Sequence, residues 1–232
     1  MIKMKNKLLR KLLNTFYKTV IKPIAKKVNT NNSEKIPKYE IKKNHIKNAK
    51  LITTREELLR ILPQNGIVAE LGVDEGGFSQ MILSINKPKK LHLIDSWGSK
   101  RYNQNKRKKV ENRFSKNIES KEVEINLGLS TDVVESFEDN YFDWIYIDTS
   151  HSYEGTIKEL ELYRNKVKES GIIAGHDYIL GNWNELVRYG VIEAVNEFCI
   201  KYNWEILYLT TELNNCPSFA IRKITDDNIL YK

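Results

Sequence analysis

The 232-residue chain is 41% apolar and 10% aromatic, which excludes a disordered polymer and leaves room for one α/β domain with a core and an appendage. Its formal charge is +8, but residues 1–49 hold 14 Lys/Arg against Glu34 and Glu40, which leaves residues 50–232 at −4. The basicity belongs to an arm and does not mark the body as nucleic-acid binding. Cys199 and Cys216 are the only cysteines and have no paired spacing, so neither a disulfide framework nor a cysteine zinc site is suggested and a reducing cytoplasm is expected.

In "MIKMKNKLLRKLLNTFYKTVIKPIAKKV" (1–28), Leu8, Leu9, Leu12, Leu13, Phe16, Tyr17, Val20, Ile21, Ile24 and Ala25 recur at three- and four-residue steps. That spacing predicts a helical stripe, interrupted or bent near Pro23. The other face is Lys and Arg with no acid before Glu34, and no apolar run is long enough for a signal-peptide core or a membrane span. Such an arm fits peripheral contact with an anionic membrane, and equally packing on its own domain or on a second subunit of a homo-oligomer. Residues 29–49 are rich in Asn and Lys without a period and read as a linker, with His45 as a surface residue; the folded domain is expected over 50–232. It opens with "TTREELLRILPQNG", a Thr cap, Glu56 and Glu57 in a first turn and a Pro-Gln-Asn-Gly stop, which predicts a short helix.

From there short apolar runs alternate with helical patterns. "IVAEL" (67–71), "LHLID" (91–95), "VEINL" (123–127), "FDWIYID" (142–148) and "GIIAG" (171–175) read as strands, with helices near 77–85, 103–118, 131–137 and 153–168. This alternation predicts a doubly wound α/β fold around a mainly parallel sheet. "WEILYL" (204–209) and "SFAIRK" (218–223) are too close for a helical crossover and predict an antiparallel pair at one edge. His92, inside a strand, reads as a core residue.

Three groups of residues carry chemistry. "VAELGVDEGGFSQMIL" is a strand, then Gly72, Gly76 and Gly77, then a helix, a turn that brings backbone close to a ligand. The pattern is E-x-G-x-x-x-G-G, not the dinucleotide G-x-G-x-x-G; an acid at Glu70 repels a pyrophosphate and suits a cationic or amine-bearing ligand. A tight turn without a ligand is the alternative. Asp95 ends the neighbouring strand, where a carboxylate can take both hydroxyls of a ribose.

Together "AELGVDEGGFSQ", "LIDSW", "FDWIYIDTSHSYEGTIKELELY" and "SGIIAGHDY" resemble the class I S-adenosylmethionine-dependent methyltransferases over residues 65–222. Within them the chain is most similar to the small bacterial branch of macrocin and sugar O-methyltransferases. The resemblance implies a seven-stranded sheet of order 3-2-1-4-5-7-6 with one antiparallel edge strand. It also implies S-adenosylmethionine as cofactor, with Glu70 and Gly72 along the methionine portion, Asp95 on the ribose and Ser130 near the adenine. Asp74, Gly76, Gly77 and Ser96 complete the expected cofactor-binding set.

The third group lies at the tips of strands four and five, where carboxyl ends in a parallel sheet face one crevice and bring Asp148 toward His176 and Asp177. Such ligands suit Mg²⁺ or Mn²⁺. The resembled family includes metal-dependent members with acids at these positions; here His176 replaces one. His151, three residues past Asp148, is the expected base alongside catalytic Asp148, since an alcohol needs a base, a cation or both to give up its proton. Alternatively His151 caps the helix beginning near Ser152 or simply hydrogen-bonds Asp148. The basic insertion 99–116 and the segment 178–191 are candidate lids, and Trp97 and Trp183 candidate stacking surfaces for a sugar ring. The expected activity is O-methylation of a sugar hydroxyl on a glycan or glycoconjugate with divalent-metal assistance. The alternatives are RNA methylation, disfavoured by the acidic body, and a non-catalytic binding protein on the same fold.

Overall fold

The structure, a computed structural model, describes residues 2–27, 35–182, 187–212 and 216–225, and the chain divides into two units. The first comprises Met1–Lys38 with Gly181–Arg188. In it α1 (Ile2–Phe16) runs into a π-helical turn at Tyr17–Ile21 and continues as helix to residue 27. The bend expected at Pro23 takes this form because proline offers no N–H to the carbonyl four residues back and its ring crowds that carbonyl; a wider turn relieves both. Gly181–Asn182 and Val187–Arg188 pair as a short antiparallel ribbon.

The second unit, Tyr39–Leu180 with Tyr189–Lys232, holds an eight-stranded sheet. In chain order its elements are β1 (Lys50–Ile52), α2 (Arg55–Ile61), β2 (Ile67–Leu71), α3 (Gly77–Met81), β3 (Lys90–Asp95), α4 (Gln104–Arg113), α5 (Ser115–Glu119) and β4 (Val123–Leu127). There follow α6 (Ser130–Val133), β5 (Phe142–Ile147), α7 (Tyr153–Tyr163), β6 (Val167–Gly175), α8 (Val191–Tyr202), β7 (Trp204–Thr210) and β8 (Phe219–Lys223). The order across the sheet is β1-β7-β8-β6-β5-β2-β3-β4, parallel except for β8.

The doubly wound α/β class is as expected, and three details differ. The pattern predicts seven strands, and those seven follow the expected order 3-2-1-4-5-7-6; β1 adds an eighth on the outer side of β7, and antiparallel β8, pairing with both β6 and β7, lies inside the sheet instead of at its edge. The helix read over 153–168 stops at Tyr163, because Val167 already pairs with Phe142. His45, read as a surface residue, is buried, with Nδ1 2.7 Å from the carbonyl oxygen of Trp204.

Period-two alternation along β5 divides the core. Trp144 and Tyr146 pack with Leu58, Leu91, Trp97 and Val110 under α2 and α4, while Ile145 and Ile147 pack with Leu160, Tyr163 and Phe198 under α7 and α8. Each such fully buried side chain contributes about 1.5–3 kcal/mol. Thr54 caps α2 by accepting from Glu57 N at 3.2 Å, as its sequence predicts.

The register sets where the chemistry can occur. Leu71 pairs with Ile94 and with Ile147, and Ile147 pairs with Gly175. The ladder continues one residue further, with Gly72 N donating to Ile94 O (2.9 Å), Asp148 N to Leu71 O (2.8 Å) and His176 N to Ile147 O (3.0 Å). Four strands therefore end level, and Asp95, Gly72, Asp148 and His176 stand in a row along the carboxyl edge.

Candidate active site

The row opens onto a cleft of about 670 Å³, a size that accommodates a cofactor. Its walls include Glu70, Gly72, Asp74, Gly77, Asp95, Ser96, Ser130 and Asp148. Gly76 does not line it; it takes a left-handed conformation (φ 74°) that starts α3. Gly72 (φ 88°) is required by contact: a Cβ there would lie 2.0 Å from the carbonyl oxygen of Asp148.

Glu70 sits on the α2/α3 face of β2, buried, with Ser79 Oγ donating to its carboxylate. Burial raises its pKa well above the usual range; the Ser79 hydrogen bond opposes this, and the nearby Asp148 and Asp95 charges reinforce it. Burial thus favours the protonated acid, and an approaching cation favours its ionised form. Asp95 organises both flanking loops: Oδ2 accepts from Val73 N (2.9 Å) and Asp74 N (3.1 Å), and Oδ1 from Trp97 N (2.8 Å). Trp97, expected as a stacking surface, is instead a core residue, 1% exposed, its indole donating to Asp74 O. Trp183 lies outside the described residues. Lys106 and Lys109 of α4 pair with Asp74 and Glu75, which ties the basic insertion to the glycine loop, and Ser99 and Tyr102 line the cleft.

The sequence reading missed Glu159. It is buried on α7, accepts from Ser130 Oγ and from Thr149 Oγ1 (2.6 Å), and closes the cleft beside β4; burial raises its pKa against those two hydroxyls. The signal was in the spacing, since Thr156, Glu159, Leu160 and Tyr163 share the buried face of α7.

At the other end of the row, donor atoms of Asp148, His151 and Asp177 lie within 4.8 Å of one another. His151 Nε2 is 2.8 Å from Asp177 Oδ2 and 3.9 Å from Asp148 Oδ1. Two carboxylate oxygens and an imidazole nitrogen at this separation fit ligand positions around a Mg²⁺ or Mn²⁺ ion. His176, expected as a ligand, stands beside these three, with Nδ1 3.7 Å from Asp148 Oδ2. It follows the strand ladder, with Nδ1 3.4 Å from Asp177 Oδ2, and its Nε2 is buried without a partner among the described residues. Asp177 breaks the strand in a left-handed turn (φ 59°) that carries its carboxylate to His151.

His151, the expected base, faces two carboxylates. The carboxylates of Asp148 and Asp177 raise its pKa to about 9 against the opposing effect of burial, so near neutrality it is an imidazolium. It does not cap α7; Ser152 does, accepting from Gly155 N at 3.1 Å. Burial resists ionisation of Asp177, but hydrogen bonds from His151, His176 and Cys216 outweigh it and hold the carboxyl far below the usual range.

Residues 69–178 match the family model described as a methyltransferase domain. No curated protein is similar enough to count as a match. Among solved structures, an rRNA methylase from Streptococcus thermophilus is 14% identical with a TM-score of 0.52, covering 74% of this chain and 95% of its own. A Streptococcus mutans protein described as a candidate methyltransferase, in complex with SAH, is 14% identical with a TM-score of 0.54, covering 75% and 99%. A tRNA methyltransferase of B. subtilis is 11% identical with a TM-score of 0.54, covering 78% and 69%. At these identities the likeness is one of fold. The sheet order, the cleft at its carboxyl edge and the family match define a class I methyltransferase. Its methyl donor is S-adenosylmethionine.

Proposed function

We propose that this methyltransferase acts on a hydroxyl group, that of a sugar in a glycan or glycoconjugate, with a divalent cation assisting. One observation carries the reading: Asp148 walls the donor cleft and belongs to the Asp148–His151–Asp177 cluster, so a cation site adjoins the place where a methyl group is presented. S-adenosylmethionine supplies a methyl group on a sulfonium. In this reading Glu70 ionises when that positive charge approaches, Asp95 and Ser96 meet the ribose, and Ser130, held by Glu159, stands at the adenine end. Asp74, Gly76 and Gly77 shape the intervening loop.

A hydroxyl is a poor nucleophile until its proton leaves, and the residues here favour electrostatic help over a base. In the metal-free site Asp177 is strongly acidic and His151 protonated, and with a cation bound the lone pair of His151 would be engaged as a ligand, so in neither state are they suited to take a proton near neutrality. Asp148, His151 and Asp177 would hold a Mg²⁺ or Mn²⁺ ion, which supplies positive charge beside the acceptor oxygen. Orientation of acceptor against donor by the level strand ends adds the proximity contribution. The sugar as acceptor is supported by the sequence resemblance to macrocin and sugar O-methyltransferases.

The test is to express the protein and its Asp148→Ala and Asp177→Ala variants and compare cell-surface glycans by mass spectrometry. A gain of one methyl that requires Asp177, with donor affinity in Asp177→Ala kept within about threefold, is the expected result. Wild-type rates in both variants would end the reading. A second reading, RNA methylation, draws on the rRNA and tRNA methylases among the structural neighbours and on the basic arm. It requires RNA affinity that falls steeply with salt, because phosphate contacts release counterions.

A further inference from the structure

We infer that the helix running from residue 2 to residue 27 docks onto an anionic lipid surface, lying along it with one face in the hydrocarbon boundary. Leu9, Leu12, Leu13, Phe16, Tyr17 and Ile24 follow the i, i+3, i+4, i+7 pattern, which places them on one face of a helix, and each is 53–60% exposed. Large apolar side chains left this open in a row mark a contact surface. Lys11, Lys18 and Lys22 sit at offsets of seven and eleven residues, on the other face, and Arg10, Lys26 and Lys27 are exposed as well. The nearby hydroxyls add little polar cost, because Thr15 donates to Lys11 O (3.0 Å) and Thr19 to Thr15 O (2.8 Å).

Charge decides what covers the face. The first acid in the chain is Glu34, so a second copy of the helix packed stripe to stripe would cover the apolar row but bring no carboxylate to the lysines on the other face. A nucleic acid would answer the charge but leave the apolar row in water. A bilayer with anionic headgroups answers both at once: aliphatic and aromatic side chains enter the acyl boundary while the lysines remain at the phosphates. No helix among the described residues is long and apolar enough to cross a membrane, so the contact is one of lying on the surface. This inference does not rest on the acceptor reading, because lipid binding is measured without turnover.

The full chain is sedimented with vesicles of phosphatidylcholine containing phosphatidylserine, and with phosphatidylcholine alone. Two variants are compared: Leu13→Glu with Phe16→Glu, and Lys11→Gln with Lys18→Gln and Lys22→Gln. Calorimetry with S-adenosylmethionine checks that both retain the folded cleft. We expect the wild type to pellet with anionic vesicles and far less with neutral ones, and the lysine variant to lose affinity on the order of a hundredfold. The Leu13/Phe16 variant should stay in the supernatant. The inference is overturned if the wild type fails to pellet, or if it binds both vesicle types alike. It is also overturned if, without lipid, the wild type sediments as a dimer that Leu13→Glu with Phe16→Glu dissolves, or if single-stranded RNA binds it with an affinity indifferent to that pair and displaces it from the vesicles.

Discussion

Replacing Gly72 by alanine tests the contact that joins the donor cleft to the cation site. The new Cβ would lie 2.0 Å from Asp148 O, 2.7 Å from Asp148 C and 3.2 Å from Thr149 N. Ordinary contact begins near 3.4 Å, so the tips of β2 and β5 must part by more than an ångström or the φ of 88° must change. The left-handed backbone alone costs a non-glycine residue about 1–2 kcal/mol, and forcing atoms into a packed site adds about 1–3 kcal/mol. For a chain of this length each kcal/mol lowers the melting temperature by about 2–4 °C, so a fall on the order of 10 °C is expected in Gly72→Ala. Donor affinity should fall at least about tenfold, since the displaced backbone walls the cleft and 1.4 kcal/mol is a factor of ten. Gly77→Ala is the control, because a Cβ there meets nothing within 4 Å. At the start of a helix it should leave melting unchanged or raise it slightly. Thermal denaturation and titration calorimetry with S-adenosylmethionine measure both. A Gly72→Ala protein that melts and binds donor like the wild type would refute the close approach of the two strand tips.

The remaining expectations concern charge. Glu70→Gln should leave melting unchanged or raise it, since glutamine reproduces the neutral acid that burial favours, yet weaken donor binding about tenfold to a hundredfold through loss of one charged hydrogen bond. Because burial favours the protonated form of Glu70 and a bound sulfonium the ionised one, donor binding should release a proton and its heat should vary between buffers of different ionisation enthalpy; indifference to buffer in the wild type would contradict this. Treatment with a chelator should stop transfer and Mg²⁺ or Mn²⁺ should restore it, while full activity after chelation would remove the cation from the mechanism. In metal-free protein the His151 pairing contributes stability that is complete below about pH 6.5 and lost as pH rises through about 9, because the folded pKa lies above the unfolded one. Melting temperature should therefore decline over that range in the wild type and not in His151→Gln.

The fold was legible because each β-branched or aromatic run was bounded by turn residues and separated by a helical pattern, and strand-tip chemistry followed once the sheet was parallel. What escaped had physical reasons. β1 is only "KLI", too short to carry a period, and exists because the edge of β7 offers it a ladder. His45 sits in a polar stretch and is buried only by reaching the distant Trp204 carbonyl. Trp97 follows the loop serine and looked free to stack, but a φ of 40° turns it into the core. Asp148 and Asp177 meet as the parallel sheet requires, but one left-handed residue, Asp177, sets its carboxylate between two imidazoles, His151 at 2.8 Å and His176 at 3.4 Å, and backbone handedness at an aspartate is not written in spacing.

Glu70, Asp95, Asp148 and Asp177 stand along one edge, and Coulomb repulsion among them has to be relieved by something positive. Without ligands the protein relieves it in two ways: Glu70 keeps its proton because burial and its acidic neighbours oppose the charge, and His151 takes one because two carboxylates face it. A sulfonium beside Glu70 and a divalent ion held by Asp148, His151 and Asp177 would each replace a proton with a fixed positive charge. The excess of acids that would destabilise an empty crevice is thus the property that selects its occupants.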